Sequence, residues 1–185
     1  MASEKMLSPN TTIWWVPRSG IADIKTPTAA EINAGVNISC AVTTDYTMNA
    51  TDSDTDDSRS ICDNSNVQTP TFDNYEVNIP FFRDANLANT DSVYVKAYNL
   101  FAEVDADGYF VRRIGKLSSE NAVAGDNVSV FGVSTDYMRS VDGGDDGAPV
   151  RFEVKGIPTG ELAINVPVVG SGGGGGGGGG DEENG

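Results

Sequence analysis

The sequence predicts a mainly β domain, a β-sandwich or barrel of about seven strands with one flanking α-helix. Two segments, 72–81 and 150–157, alternate apolar and polar residues with the two-residue period of a strand. Turn-forming Gly, Pro, Asn and Asp residues separate these segments from several shorter apolar runs. One segment, 93–104, has instead the three- and four-residue spacing of an amphipathic helix.

The first elements are a strand, one helical turn and a second strand. Residues 11–16 are β-branched and aromatic, which favours a strand. Thr28 and Glu31 have the spacing of a capping box, and Gly35 ends the helical turn that they predict. Residues 36–42 alternate weakly, so we expect the second strand there.

A long polar segment follows at residues 43–70, rich in Asp, Ser, Thr and Asn. It is far longer than an ordinary connection, so we expect a functional loop that contains at most a short strand at 58–62. The clean alternation of 72–81 then predicts a strand, in which Pro80 indicates an edge or a bulge.

The second half of the chain is expected to hold the helix and the remaining strands. Thr90 or Asp91 is the expected N-cap of the helix at 93–104, although its Val and Tyr content keeps a strand as the alternative. A turn at 105–108 precedes further strands, and residues 158–160 are expected to turn the chain into the last one. These strands are predicted at 109–114, 127–137, 150–157 and 161–169.

The chain divides into an arm, one domain and a tail. Residues 1–10 are polar and are expected to form an N-terminal arm. Residues 11–169 form the predicted β domain, which is large enough to bury a core without disulfides or metals. Residues 170–185 contain nine consecutive glycines and an acidic end. Because the glycines offer no side chains to bury, we expect a disordered tail there.

The net charge of the chain argues against some classes of binding partner and leaves others possible. The chain has 27 acidic and 12 basic residues and a net charge of -15, which argues against a nucleic-acid clamp or an anionic membrane surface as its partner. Acidic side chains along a channel would repel DNA and let it slide, while solubility alone is the simpler interpretation. The sequence shows no 18-residue apolar run and no secretory signal, so we expect no membrane span.

Catalytic signals are weak. The chain contains no histidine, the commonest general base and metal ligand. The glycine-rich segment 143–147 lacks the Lys and Ser/Thr of a phosphate-binding loop. We therefore expect a non-enzymatic protein without a cofactor; an enzyme would have to use paired carboxylates.

The sharpest metal candidate is the run of Asp52, Asp54 and Asp56, followed by Asp57. Carboxylates at alternate positions resemble the start of a calcium-binding loop. The pattern fails where such a loop needs Gly at its sixth position and Glu at its twelfth, because Asp57 and Asp63 stand there. We expect a solvated acidic run that contributes to subunit contacts, with a calcium site as the alternative.

Two pairs of residues bear on burial and assembly. Trp14 and Trp15 are adjacent, so in a strand their side chains point to opposite faces. One is expected in the core, and the other in a subunit contact or in a second buried face. Cys40 and Cys62 are expected to be reduced and buried, with a disulfide between them as the alternative.

Several segments resemble a known family. Residues 11–42, TTIWWVPRSGIADIKTPTAAEINAGVNISCAV, resemble the N-terminal segment of major tail proteins, the tail tube subunits, of long-tailed (siphovirus-type) actinobacteriophages. DSDTDDSRSICDNSNVQTPTFDNYE at 52–76 is similar to the same family, as is GYFVRRIG at 108–115 followed later by AGD. The similarity extends over residues 11–169 and rests on the order of these segments.

The resemblance implies a structural protein with a tail tube fold. In that family hexameric rings stack around a lumen that holds the tape-measure protein and later passes DNA. Residues 43–70, the arm at 1–10 and the end near residue 170 would mediate stacking. The implied partners are further copies of the chain, the tape-measure protein, the tail terminator and the baseplate or tail-tip proteins, in a virion tail assembled in the host bacterial cytoplasm. A calcium-dependent adhesive or virion decoration domain is the alternative.

Overall fold

The computed structural model describes residues 10–56, 61–62, 69–141 and 147–170. Within these ranges the chain forms eight β-strands and two α-helices. The strands are β1 (Thr11–Pro17), β2 (Val36–Asn37), β3 (Thr47–Asp56), β4 (Thr69–Phe82), β5 (Asp107–Ile114), β6 (Asn127–Thr135), β7 (Arg139–Val141) and β8 (Arg151–Pro167). The helices are α1 (Ala29–Ala34) and α2 (Val93–Leu100).

The strands form one antiparallel sheet in the order β2-β1-β5-β6-β8-β4-β3, with β7 paired to the start of β8. β8 is 17 residues long and joins two halves, since its C-terminal part pairs with β6 and its N-terminal part with β4. Both ladders meet at Gly156, which pairs with Thr135 and with Val77. A Cβ at Gly156 would lie 2.8 Å from Val133 Cγ1 and 3.0 Å from Val77 Cβ, so this close approach requires a glycine.

The two halves pack against each other around an aromatic inner core. Phe101, at the end of α2, bridges them, because its ring centroid lies 5.2 Å from that of Trp15 in β1 and 5.5 Å from that of Phe81 in β4. The opposite face of β1, β5 and β6 forms an outer core, covered by α1 and the segment 115–126. This burial on both faces gives a β-sandwich-like fold and confirms the predicted mainly β class with a flanking helix.

The N-terminal elements largely follow the sequence. β1 occupies the predicted run, and α1 has the predicted capping box: the Glu31 N–H donates to the Thr28 hydroxyl at 3.2 Å, and the Glu31 carboxylate accepts from the Thr28 N–H at 2.7 Å. The strand predicted at 36–42 is wrong after its first two residues. The Ser39 hydroxyl there accepts from the Ile13 N–H at 2.8 Å, in place of a longer ladder along β1.

The loop predicted at 43–70 is wrong, because most of its described residues belong to β3 and β4. The two strands pair in antiparallel register, from Thr47 opposite Asn78 to Asp56 opposite Thr69. The side chains of β3 are mostly exposed on both faces. No apolar alternation therefore marks this strand in the sequence.

Three smaller expectations concern loops and edges. Ile61 and Cys62 lie in a turn, so the short strand predicted at 58–62 is wrong there, and its first three residues lie outside the described part of the chain. Pro80 lies in β4 beyond the end of the β3 ladder, an edge position of the predicted kind. The glycine-rich acidic segment lies outside the described residues except for Gly147.

The C-terminal half contains the predicted helix and strands, with three corrections. The N-cap of α2 is Ser92 rather than Thr90 or Asp91. The turn predicted at 158–160 is a bulge within β8, so the last two predicted strands are one. Gly160 accommodates this bulge with a φ of 85°. The short strand β7 has no counterpart among the predicted elements.

Candidate functional site

A β-hairpin extends beyond the rest of the sheet. β4 pairs with β8 only from Val77 onward, so residues 69–76 pair with β3 alone. Residues 49–56 of β3 and 69–76 of β4 are termed the acidic hairpin below. The β3 side chains of this hairpin are mostly exposed, and they include the aspartates predicted to form a subunit contact.

Tyr75 anchors the base of the acidic hairpin to the body of the subunit. Its side chain is buried, and its hydroxyl donates to the Gly132 carbonyl at 2.5 Å. The same oxygen accepts from the N–H groups of Thr159 and Gly160 at 3.0 and 3.2 Å. One phenol thus holds β4, β6 and the β8 bulge together and satisfies backbone groups that the bulge removes from the ladder.

The aspartates of the acidic hairpin are exposed and spread along a strand. Asp52, Asp54 and Asp56 occupy alternate positions, and strand geometry separates such residues by roughly 6.7 Å. Asn74 Nδ2 donates to the Asp52 carbonyl at 3.2 Å and to Asp54 Oδ1 at 3.1 Å. Within the described ranges, no three His, Cys, Asp or Glu side chains are grouped so as to hold a metal ion. Asp57 lies outside those ranges.

Trp14 and Trp15 are both buried, 2% and 4% exposed, on opposite faces of β1. The Trp15 ring lies 4.7 Å from that of Phe110 in the inner core. Trp14 packs in the outer core, with the Arg113 guanidinium 5.1 Å from its ring centroid. The second buried face therefore accounts for the tryptophan pair, and the expected exposure of one indole to a neighbouring subunit is corrected.

Arg113 and Asp126 hold the segment 115–126 over the outer core. Their side chains are 1% and 5% exposed, and Arg113 Nη1 lies 2.9 Å from Asp126 Oδ2. Lys116 Nζ lies 2.5 Å from the other Asp126 oxygen. The guanidinium also donates to the hydroxyl of Thr12 and to the backbone carbonyls of Leu117, Glu120 and Asn121.

The ionisation of Asp126 reflects this surrounding. Burial by itself raises the pKa of the carboxyl, but hydrogen bonds from Lys116, Arg113 and the Val123 N–H lower it by more. The pKa of Asp126 therefore lies below its ordinary value, and the ionised carboxylate fixes the segment against β5.

A second charged cluster joins the end of β1 to β5 and to the β8 bulge. Arg18 donates to both carboxylate oxygens of Asp107 at 2.6 to 3.1 Å. It also donates to the Thr159 hydroxyl at 2.9 Å and pairs with Glu161. The hydrogen bond from Arg18 lowers the pKa of Asp107. Sequence reasoning misses this cluster, because Arg18 and Asp107 are 89 residues apart and no local pattern links them.

Two edges of the sheet are open. β2 pairs with β1 alone and β3 pairs with β4 alone, so the outer edge of each meets no strand within the described residues. Open edges of this kind are ready to pair with another chain. Head-to-tail contacts between identical subunits remove such edges and generate rings.

Two further expectations concern cysteines and membranes. Cys40 and Cys62 are both exposed, which corrects their predicted burial. In the part of the chain that the structure describes, neither helix is long or apolar enough to cross a membrane.

Comparison with models of known protein families gives a match over most of the chain. The family model described as "Phage tail tube protein" matches residues 1–171 of the 185 in the chain. The matched range contains every strand and helix described above, including the acidic hairpin and both open edges. No curated protein matches the sequence. Because the family match extends over nearly the whole length, this chain belongs to the phage tail tube protein family.

Proposed function

We propose that this chain is the major tail protein of a long-tailed, siphovirus-type actinobacteriophage and that it assembles into hexameric rings, which stack into the tail tube. Family membership establishes the coarser role, a structural subunit of the phage tail tube in the virion tail. The resemblance of residues 11–42 supports the phage type and the ring size.

The open edges support lateral contacts within a ring. One edge is the outer edge of β2, and the other is the outer edge of β3. These edges belong to opposite ends of the strand order, so they form the two unlike surfaces that a head-to-tail contact requires. Repeating one such contact around an axis closes a ring.

The acidic hairpin supports stacking between rings. Beyond Tyr75, its backbone is held by the β3–β4 ladder rather than by a core, so this part is free to engage a neighbour without changing the fold of its own subunit. Residues 1–10 and the end near residue 170 are proposed as further stacking contacts. Asn10, the last residue of the arm, lies beside the end of β5, where the Gly115 N–H donates to the Asn10 carbonyl at 2.7 Å.

The charge of the chain supports a conduit for DNA. With a net charge of -15 per subunit, a ring repels phosphate rather than holding it. In the proposed tube the lumen first contains the tape-measure protein and then passes DNA during infection. The tail terminator and the baseplate or tail-tip proteins are the proposed partners at the two ends, and assembly takes place in the host bacterial cytoplasm.

Negative-stain electron microscopy of the purified full chain tests the proposal. We expect rings and tubes of constant diameter, with six-fold symmetry in end-on class averages, in salt that screens the subunit charge. A matched variant replaces residues 51–74 by Asn-Gly, which keeps Ala50 opposite Tyr75 and shortens the hairpin to a two-residue turn. This variant should give rings that do not stack.

Sedimentation of the same samples measures whether the chain assembles or remains monomeric. A wild-type chain that remains monomeric at high concentration and high salt, and that forms no rings on the grid, overturns the proposal. Rings of another symmetry overturn the hexamer alone. A calcium-dependent rise in melting temperature without assembly would favour the adhesive-domain alternative.

A further inference from the structure

We propose that the cleft between β1 and β3 receives an aspartate from the acidic hairpin of a second copy of this chain, and that Arg112 is its partner. The cleft has a volume of about 410 Å³ and opens between the two ends of the strand order. It is lined by Thr11 and Ile13 of β1, Asn49 of β3, Arg112 of β5 and residues within 39–46. The inference rests on the proposed tube, because it needs a neighbouring subunit.

Arg112 is half-buried and incompletely bonded. Its Nη1 donates to the Met48 carbonyl at 2.6 Å and to Asn49 Oδ1 at 3.4 Å. Its guanidinium carbon lies 5.6 Å from the Phe131 ring centroid. Its Nε is fully buried and unpaired within the described ranges, as is that of Arg113, so Nε offers nothing to an incoming group. Its Nη2 also has no hydrogen-bond partner among the described residues but is not fully buried, and a carboxylate is the acceptor that suits such a donor best.

The surroundings of Arg112 differ from those of the other arginines that join strands. Arg18 and Arg113 each have a carboxylate partner, whereas no carboxylate pairs with Arg112 in the described part of the chain. The remaining side chains that line the cleft are uncharged, and several carry hydroxyls, including Thr44 and Tyr46. A cation among hydroxyl groups is suited to one incoming carboxylate.

The hairpin aspartates of the same subunit lie away from this cleft. Arg112 is bonded to Met48, and Asp52 and Asp56 follow four and eight residues further along β3. At the rise of a regular strand, these residues lie at most about 13 and 26 Å from Met48, and the register shifts between Thr51 and Thr55 shorten that path. The acidic hairpin of another copy is not subject to this limit, because its position depends on how the two subunits stack.

Charge favours the acidic hairpin as the occupant. The two segments of the hairpin, 49–56 and 69–76, contain five Asp and Glu residues and no Lys or Arg. In a tube built from subunits of net charge -15, neighbouring hairpins repel one another, and a cation on the facing subunit reduces that repulsion. Arg112 supplies such a cation beside the open edge of β3, so one contact both lowers the repulsion and fixes the register of the hairpin.

Exchanging charges between the two surfaces tests the inference. Arg112→Glu, and separately Asp52→Lys with Asp56→Lys, are each expected to raise the protein concentration needed for tube assembly by about tenfold or more. Combining the three substitutions should restore assembly towards the wild-type concentration. Arg83→Glu is the matched control, since Arg83 is an exposed arginine over the Tyr98 ring, and its combination with the lysine pair should show no rescue.

The outcomes separate this inference from the proposed function. If the wild type forms no tubes, the proposed function and this inference are both overturned. If it forms tubes, the inference alone is overturned when natively folded Arg112→Glu assembles like the wild type, or when the combined variant assembles no better than its parents. Melting temperatures of the dissociated subunits establish native folding.

Cross-linking provides a second measurement that does not alter Arg112. Chains carrying Thr44→Cys and chains carrying Asp52→Cys, each with Cys40→Ser and Cys62→Ser, are mixed, assembled and treated with a short bismaleimide. We expect a covalent dimer of the two chain types, and none when Lys96→Cys replaces Thr44→Cys. Equal yields in the two mixtures, or no dimer in either, overturn the inference even if Arg112→Glu fails to fold.

Discussion

Arg113 Nη1 and Asp126 Oδ2 lie 2.9 Å apart, in side chains that are almost completely buried. The pair links β5 to the residue that precedes β6, and the same guanidinium lies over Trp14. Because both side chains are buried away from water, each charge is stabilised there by the opposite charge of its partner. Removing one partner therefore leaves an uncompensated charge in the outer core.

Arg113→Met is expected to lower the free energy of unfolding by about 3–5 kcal/mol for this reason. Chemical denaturation of the dissociated subunit measures the change. Arg139→Met is the matched control, because the ion pair of Arg139 with Asp136 is exposed, and it should change stability by no more than about 1 kcal/mol. Equal losses in the two variants would contradict the structural role assigned to Arg113.

Acid is expected to destabilise the subunit partly through Asp126. Burial raises the pKa of this carboxyl, but hydrogen bonds from Lys116 and Arg113 outweigh burial, so the folded-state pKa lies below the ordinary value of 3.8. The ionised group therefore adds stability above the unfolded-state pKa, and this contribution is lost as the pH falls through the folded-state pKa.

Denaturation of Asp126→Asn at a series of pH values checks this dependence. Its unfolding free energy, lower at neutral pH, should fall less steeply than that of the wild type between about pH 5 and pH 2. Asp91→Asn, at an exposed position, serves as the control and should keep the wild-type slope. Parallel slopes for the wild type and Asp126→Asn would show that Asp126 does not contribute.

Tyr75→Phe is expected to destabilise the subunit by about 1–3 kcal/mol. The ring stays in the core, but the Gly132 carbonyl and the N–H groups of Thr159 and Gly160 lose their shared partner. Tyr137→Phe, at a side chain 70% exposed, should have little effect. An unchanged denaturation midpoint for Tyr75→Phe would mean that the bulge is satisfied by other groups.

Gly156→Ala is expected to cost about 1–3 kcal/mol by overpacking. The added methyl would meet Val133 and Val77 at the point where the two halves of the sheet converge. Gly170→Ala is a suitable control, since no heavy atom lies within 4 Å of the Cβ position there. Thermal unfolding compares the two variants. A similar melting temperature for both would indicate that the two halves of the sheet accommodate the added methyl group without loss of stability.

The sequence predicts those elements whose structure is determined within a short segment. The capping box at Thr28 and Glu31 is one example, because both partners lie in the same turn. The alternation of 72–81 is another, because one face of β4 meets the inner core. The sequence of β3 shows no apolar alternation, because backbone hydrogen bonds to β4 hold this strand and most of its side chains are exposed and polar. The β8 bulge at 158–160 resembles a turn because the tyrosine that supports it is 84 residues away in sequence.

The sequence predicts the acidic residues of the candidate site but not how the site is arranged. The acidic run from Asp52 is evident from the sequence, whereas its extension along a strand is not. Arg112 and Arg113 are adjacent, and strand geometry places them on opposite faces. Which of the two meets the cleft and which meets Asp126 depends on register, where a shift of one residue reverses the result.

The length of β4 has a mechanical consequence. This strand runs without interruption from the acidic hairpin into the core, where six residue pairs, from Val77–Gly156 to Phe82–Arg151, join it to β8. A pull on the hairpin along the strand would load these pairs in parallel as shear, instead of opening them one at a time. In a tail under tension, β8 would pass that load to the central strand β6, so the force would reach the middle of the sheet rather than its margin.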